Sequence, residues 1–150
     1  MNPLTDNEVN RLVDDWFQKL DVHAPVEDLL AMLAKDGLEM RLPEGTLRTE
    51  DEFKRWYKNK IIRRYFDEVH EVNQVSITPA GDRANVEVVV NWHRRTWDPP
   101  KARSAWLAFD ASQTWIVQRS PTSGQPVIVT YIADVLKPRD GAAQYEGCTA

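Results

Sequence analysis

Residues 67–97 read DEVHEVNQVSITPAGDRANVEVVVNWHRRTW. The apolar period there is 2, plainest at Val86, Val88, Val90 and Trp92, the period of a half-buried strand and not the 3.6 of a helix. Thr78-Pro79-Ala80-Gly81-Asp82 divides the stretch with turn-forming residues. The segment therefore predicts a long hairpin, with strands over about 67 to 78 and 84 to 97. Two more strands follow, over about 102 to 119 and 126 to 136, after Asp98-Pro99-Pro100-Lys101 and Ser120-Pro121-Thr122-Ser123-Gly124. Connections this short join antiparallel neighbours.

Upstream the period changes to 3.6. Thr5 and Glu8 form a capping box ahead of Val9, Leu12, Val13, Trp16, Phe17 and Leu20. That spacing predicts a helix over about 5 to 20. Pro25 suits the first turn of a second helix, with Val26, Leu29, Leu30 and Leu33 on one side and Gly37 as its stop. Leu38, Met40 and Leu42 alternate as a short strand ended by Pro43. Thr49 and Glu52 repeat the capping box before a third helix, about 49 to 65, with Phe53, Trp56, Tyr57 and Ile61 on its apolar face. Helices that precede such a sheet pack on one of its faces, and the sheet must curl around them. The layout is α+β: three N-terminal helices on a strongly curved, mostly antiparallel sheet, with a cavity expected between the two layers.

The chain has 150 residues, enough for one domain with a single core. Six tryptophans point to a core or cavity wall of large flat side chains. A net charge of -4 argues against a nucleic-acid surface. The one cysteine, Cys148, cannot form an internal disulfide, and no stretch reads as a signal core or a membrane span. The expectation is a soluble cytoplasmic protein whose domain runs over 1 to 137, followed by a flexible tail over 138 to 150.

The element order resembles the cone of the nuclear transport factor 2-like superfamily, and within it the polyketide-cyclase-like (SnoaL-like) proteins. The resemblance covers about residues 4 to 137 and rests on LLAMLAKDGLEMRLP, TEDEFKRWYKNKI, HEVNQVSITPAGDRANVEVVV with its His70 and Asn73, and VIVTYIAD with its Tyr131 and Asp134. It implies a cofactor-free enzyme or a binding module, since the fold hosts both. By similarity to scytalone-dehydratase-like enzymes, Asp21, His70 and His93 fall where an aspartate and two histidines act, while Met40 and Leu20 stand where tyrosines position water. By similarity to the polyketide cyclases, Asp134 falls where the last strand carries a base. Arg41 or Leu42 stands where a ketosteroid-isomerase-like enzyme needs an aspartate, which disfavours that chemistry.

Histidine titrates near neutral pH, so His70 and His93 are the natural acid/base candidates. Asp21 and Asp134 are the candidate carboxylates; Trp16, Tyr57 and Asn91 are candidate substrate contacts. No short ligand spacing marks a metal site, and His23 reads as a loop residue. Strand parity cuts against the catalytic picture. Val86, Val88, Val90 and Trp92 share the apolar face, leaving Asn91, His93 and Arg95 on the other. In the preceding strand Asn73, Val75 and Ile77 share one face and His70, Val72, Gln74 and Ser76 the other. Both histidines are thus expected on the outer face unless a bulge resets the register. Two readings follow. One is a cyclase, dehydratase or isomerase acting on a hydrophobic, oxygenated small molecule. The other is a non-catalytic module that binds a small molecule or forms a homodimer through the sheet.

Overall fold

The computed structural model describes residues 2–133 and 137–138. Among the described residues there are seven strands: β1 (Glu39–Leu42), β2 (Gly45–Leu47), β3 (Tyr65–Ala80), β4 (Arg83–Thr96), β5 (Ala105–Arg119), β6 (Pro126–Ile132) and β7 (Lys137–Pro138). They form one curled sheet in the order β2-β1-β6-β5-β4-β3, with β7 paired to β5. All neighbours are antiparallel except β1 and β6. The long hairpin expected from residues 67–97 is β3–β4, turning at Gly81, whose φ of 68° is open to glycine without strain.

Helix α1 (Asp6–Asp21) starts where the capping box predicts. The Thr5 hydroxyl accepts from the Glu8 N–H at 3.1 Å, and Glu8 Oε1 accepts from the Thr5 N–H at 3.1 Å. Its six spaced apolar residues, Val9 to Leu20, are all buried against the sheet. Each such side chain contributes about 1.5–3 kcal/mol by leaving water. Arg119 at the end of β5 holds the helix start by donating to both Glu8 oxygens at 2.7 Å, and this guanidinium keeps the Glu8 carboxyl down at about 2.

The second helix is shorter than its sequence suggests. Helix α2 spans Val26–Leu30 only. The chain then leaves the helix for β6: Ile128 N–H donates to the Met32 carbonyl and Ala34 N–H to the Ile128 carbonyl, each at 2.8 Å. Sheet bonding and burial of Leu33 override local helical preference. Helix α3 (Glu50–Trp56) passes into a π-helical turn at Tyr57–Ile62. Its cap is half of the expected box. Thr49 accepts from the Glu52 N–H, while the Glu52 carboxylate accepts from the Arg48 N–H at 2.9 Å.

The parity expectation for β3 fails, and its correction builds the site. Between Phe66 and Val69, and again between Val72 and Gln74, the register with β4 slips. His70 then lies opposite Trp92, Val72 opposite Val90, Val75 opposite Val88 and Ile77 opposite Val86. His70 and Val72 therefore join Val75 and Ile77 on the inner face. Asn73 takes up the extra residue of one bulge; Asp67 and Glu68 sit in the other, which turns Glu68 inward. His93 keeps its expected outer position, opposite Val69 and Ala108. The strand expected to reach residue 136 ends at Ile132 within the described residues. Asp134, Cys148 and the expected tail beyond Pro138 lie outside the described residues.

Candidate active site

Between the helices and the sheet lies a cavity of about 40 Å³ lined on its polar side by Glu68, His70, Gln113 and Tyr131. Leu20, Leu42, Ile61 and Trp92 are among its apolar walls. Trp56 and Glu44 form part of the wall next to solvent, joined by an indole-to-carboxylate hydrogen bond of 3.3 Å. The volume takes about three or four waters, at about 10–15 Å³ each.

Asp21 stands at the last residue of α1, and His70 faces it from β3. One Asp21 oxygen accepts from the His70 backbone N–H at 2.9 Å, and the other is 2.5 Å from Nδ1. The carboxylate thereby fixes the tautomer: Nδ1 carries the proton and Nε2 is left with its lone pair. The ring is clamped between Phe17, 4.7 Å away, and Trp92, 5.2 Å away and nearly parallel. Its side chain is only 5% exposed. Burial holds the imidazole below its ordinary pKa, against the opposing pull of Asp21, so the ring is neutral at pH 7. A neutral, oriented imidazole beside a cavity can accept a proton from a molecule bound there.

Glu68, two residues before His70, lines the same cavity with its side chain 1% exposed. Trp92 Nε1 donates to one of its oxygens at 3.2 Å; His23 Nε2 meets the other. Burial pushes the Glu68 carboxyl up to about 8, although the buried Arg94 guanidinium favours its ionised form. That guanidinium lies 3.3 Å from the centre of the Trp92 ring. Burial also depresses His23, so at neutral pH this pair shares one proton. His23 belongs to the loop after α1, where the buried Tyr57 hydroxyl donates to the Ala24 carbonyl at 2.6 Å. His23 and Asp67 both have φ of 52°, and they are the non-glycine residues with positive φ among those described. Side chains rarely adopt that region, so the backbone is bent on both sides of the His23–Glu68 contact.

Of the residues singled out from sequence, the structure brings Asp21 and His70 together. It does not bring His93 to them. His93 faces outward, 3.7 Å from Glu71 and 6.3 Å from the Trp106 ring. Asn91 shares that outer face and donates to Asp110 at 2.5 Å. Trp16 is fully buried among Phe53, Trp115 and Tyr131, and Tyr57 stacks on Phe53; both are core residues and neither is among the cavity's lining. Sequence reasoning missed Glu68 and His23. One signal was available for Glu68: at period 2 it shares whichever face His70 takes. Nothing local marked His23, whose partner is 45 positions away. Among the described residues, no His, Cys, Asp and Glu side chains gather in a group able to hold a metal ion, and no helix is long and apolar enough to cross a membrane.

No protein-family model matches the sequence. No curated protein matches it either. Solved structures do. A protein of Novosphingobium aromaticivorans described as a candidate scytalone dehydratase aligns with a TM-score of 0.74 at 19% identity, over 92% of this chain and 88% of the other. A hexachlorocyclohexane dehydrochlorinase from Novosphingobium barchaimii gives 0.72 at 15% identity, over 93% and 92%. A nuclear transport factor 2-like protein from Salmonella enterica gives 0.69 at 13% identity, over 93% and 95%. At these identities the likeness is one of fold: the chain adopts the nuclear transport factor 2-like cone.

Proposed function

We propose, on that cone fold, that the protein is a cofactor-free lyase which removes a proton from carbon in a small, largely apolar molecule and expels a leaving group from the neighbouring atom. The observation that carries this reading is the Asp21–His70 dyad: a buried, neutral, clamped imidazole with one nitrogen tied to a carboxylate. His70 Nε2 takes the proton, and Asp21 steadies the imidazolium that forms. The cavity walls exclude water from the carbanion-like transition state. A ring-sized substrate needs more room than about 40 Å³, and the Trp56–Glu44 wall, beside solvent, is the part that moves to admit it. Two neighbours described as a dehydratase and a dehydrochlorinase share this fold, which adds support for elimination over isomerisation. The test is a panel of cyclic compounds with an acidic C–H beside a hydroxyl or halide, hexachlorocyclohexane included. Turnover that disappears in His70→Gln is the expected result; turnover unchanged in that variant sinks the reading.

A second reading concerns the outer face of the sheet. Phe66, Val69 and Trp106 are exposed and adjacent there, beside His93 and Arg95. Exposed apolar side chains in one patch favour a partner, and a second copy of the chain is the proposed one. Light scattering at micromolar concentration should give the dimer mass, and Trp106→Glu should halve it. A monomer in the wild type removes this reading.

A further inference from the structure

Elimination needs more than a base. A halide departs as a stable anion, but a hydroxyl is a poor leaving group until a proton reaches its oxygen. Glu68 stands where such a proton is held. It shares the inner face of β3 with His70, lines the same cavity, and is itself almost wholly buried. Its two oxygens have different partners. The Trp92 N–H can only donate, whereas the His23 imidazole can accept or release a proton. His23 is 25% exposed in its side chain, so a path from solvent runs through His23 to Glu68 without crossing the cavity. The charged and titratable groups around the carboxyl are Arg94 from β4, Asp21 and Tyr57 from the helices, His23 from the loop after α1, and His70 on its own strand.

We propose that Glu68 is the general acid of this cavity, that His23 resupplies its proton, and that the leaving group is therefore a hydroxyl lost as water. The inference rests on the elimination reading above and narrows it to dehydration. His70 Nε2 takes the proton from carbon, and the C–H electron pair becomes the new C=C bond. The C–O bond breaks with its pair on oxygen, which receives the Glu68 proton and departs as water. Imidazolium and carboxylate remain. After product release His70 returns its proton to solvent, and His23 takes one from solvent and passes it to Glu68. No oxidant or cofactor enters the balance.

The probes are 3-hydroxycyclohexanone and 3-chlorocyclohexanone, which both give cyclohexenone, followed by enone absorbance above the uncatalysed rate. Glu68→Gln should lower kcat on the hydroxy ketone about 10²-fold or more, the usual worth of a positioned acid, and lower it far less on the chloro ketone, whose leaving group needs no proton. His23→Gly suits the positive φ and leaves a gap. It should slow only the hydroxy ketone and recover with added imidazole. Nitrogen NMR of the ligand-free protein should show the His23 titration altered by Glu68→Gln. Equal loss on both probes overturns the proposal, as does an unaltered His23 titration. Wild-type turnover of the chloro ketone alone also overturns it, while leaving the elimination reading intact. Turnover of neither overturns both.

Discussion

The two faces of the β3–β4 hairpin carry a histidine each, and the two have different surroundings. On the inner face His70 is locked by Asp21, stacked on Phe17 and Trp92, and held neutral by burial. On the outer face His93 is 26% exposed and meets the exposed Glu71 at 3.7 Å, a separation that brings little energy beside water. The same side chain, one strand apart, is a buried, oriented imidazole in one place and a surface group in the other. Depth, a fixed tautomer and a neighbouring cavity make the difference, and all three come from packing.

The largest effect should fall on turnover. His70→Gln is expected to reduce kcat about 10³- to 10⁴-fold, because it removes the proposed base and leaves the cavity. His93→Ala, measured on the same substrate, should stay within about twofold; a comparable loss would break the contrast between the faces. The next effect is on stability. Trp115 and Trp106 lie on the two faces of one strand, β5, the first fully buried and the second exposed. Trp115→Ala should cost about 3–5 kcal/mol in urea unfolding. Trp106→Ala should stay near the ±0.5 kcal/mol typical of surface changes.

A smaller effect depends on pH. The Glu68 carboxyl is raised from 4.5 to about 8 in the folded chain. Between those values the native state holds a proton that the unfolded chain has lost, so this group's contribution to stability falls as pH rises and levels off above about 8. His70 acts in the opposite sense. Its folded pKa is depressed below 6.5, so its contribution is lost as pH falls. Glu68→Gln should therefore gain on the wild type steadily from pH 4.5 to 8 in urea titrations. A pH-independent difference would show that Glu68 is not held protonated by its site.

Much of the fold was legible because it follows from periodicity. The α1 stripe, the capping box at Thr5 and Glu8, and the β3–β4 hairpin each depend on residues near one another in the chain. Helix α2 was overestimated because its end is set by β6, nearly a hundred residues later. Strict alternation misplaced His70 because it carries no information about bulges. A bulge is chosen by the curvature that the whole sheet must adopt around the helices. Alternation leaves Glu68 unmarked for the same reason, and His23, a loop residue as expected, has a partner that lies across the fold.

The sequence by itself determined the α+β class, the order of the elements and which residues form the apolar face of α1, since period and capping are local properties of the chain. By resemblance it also named Asp21 and His70, as one set with His93. Only the tertiary structure decided that they meet, that His93 stays outside, and that Glu68 and His23 stand beside them. Two register shifts in β3 set the direction of Glu68 and His70, and a one-residue slip reverses every face that follows it.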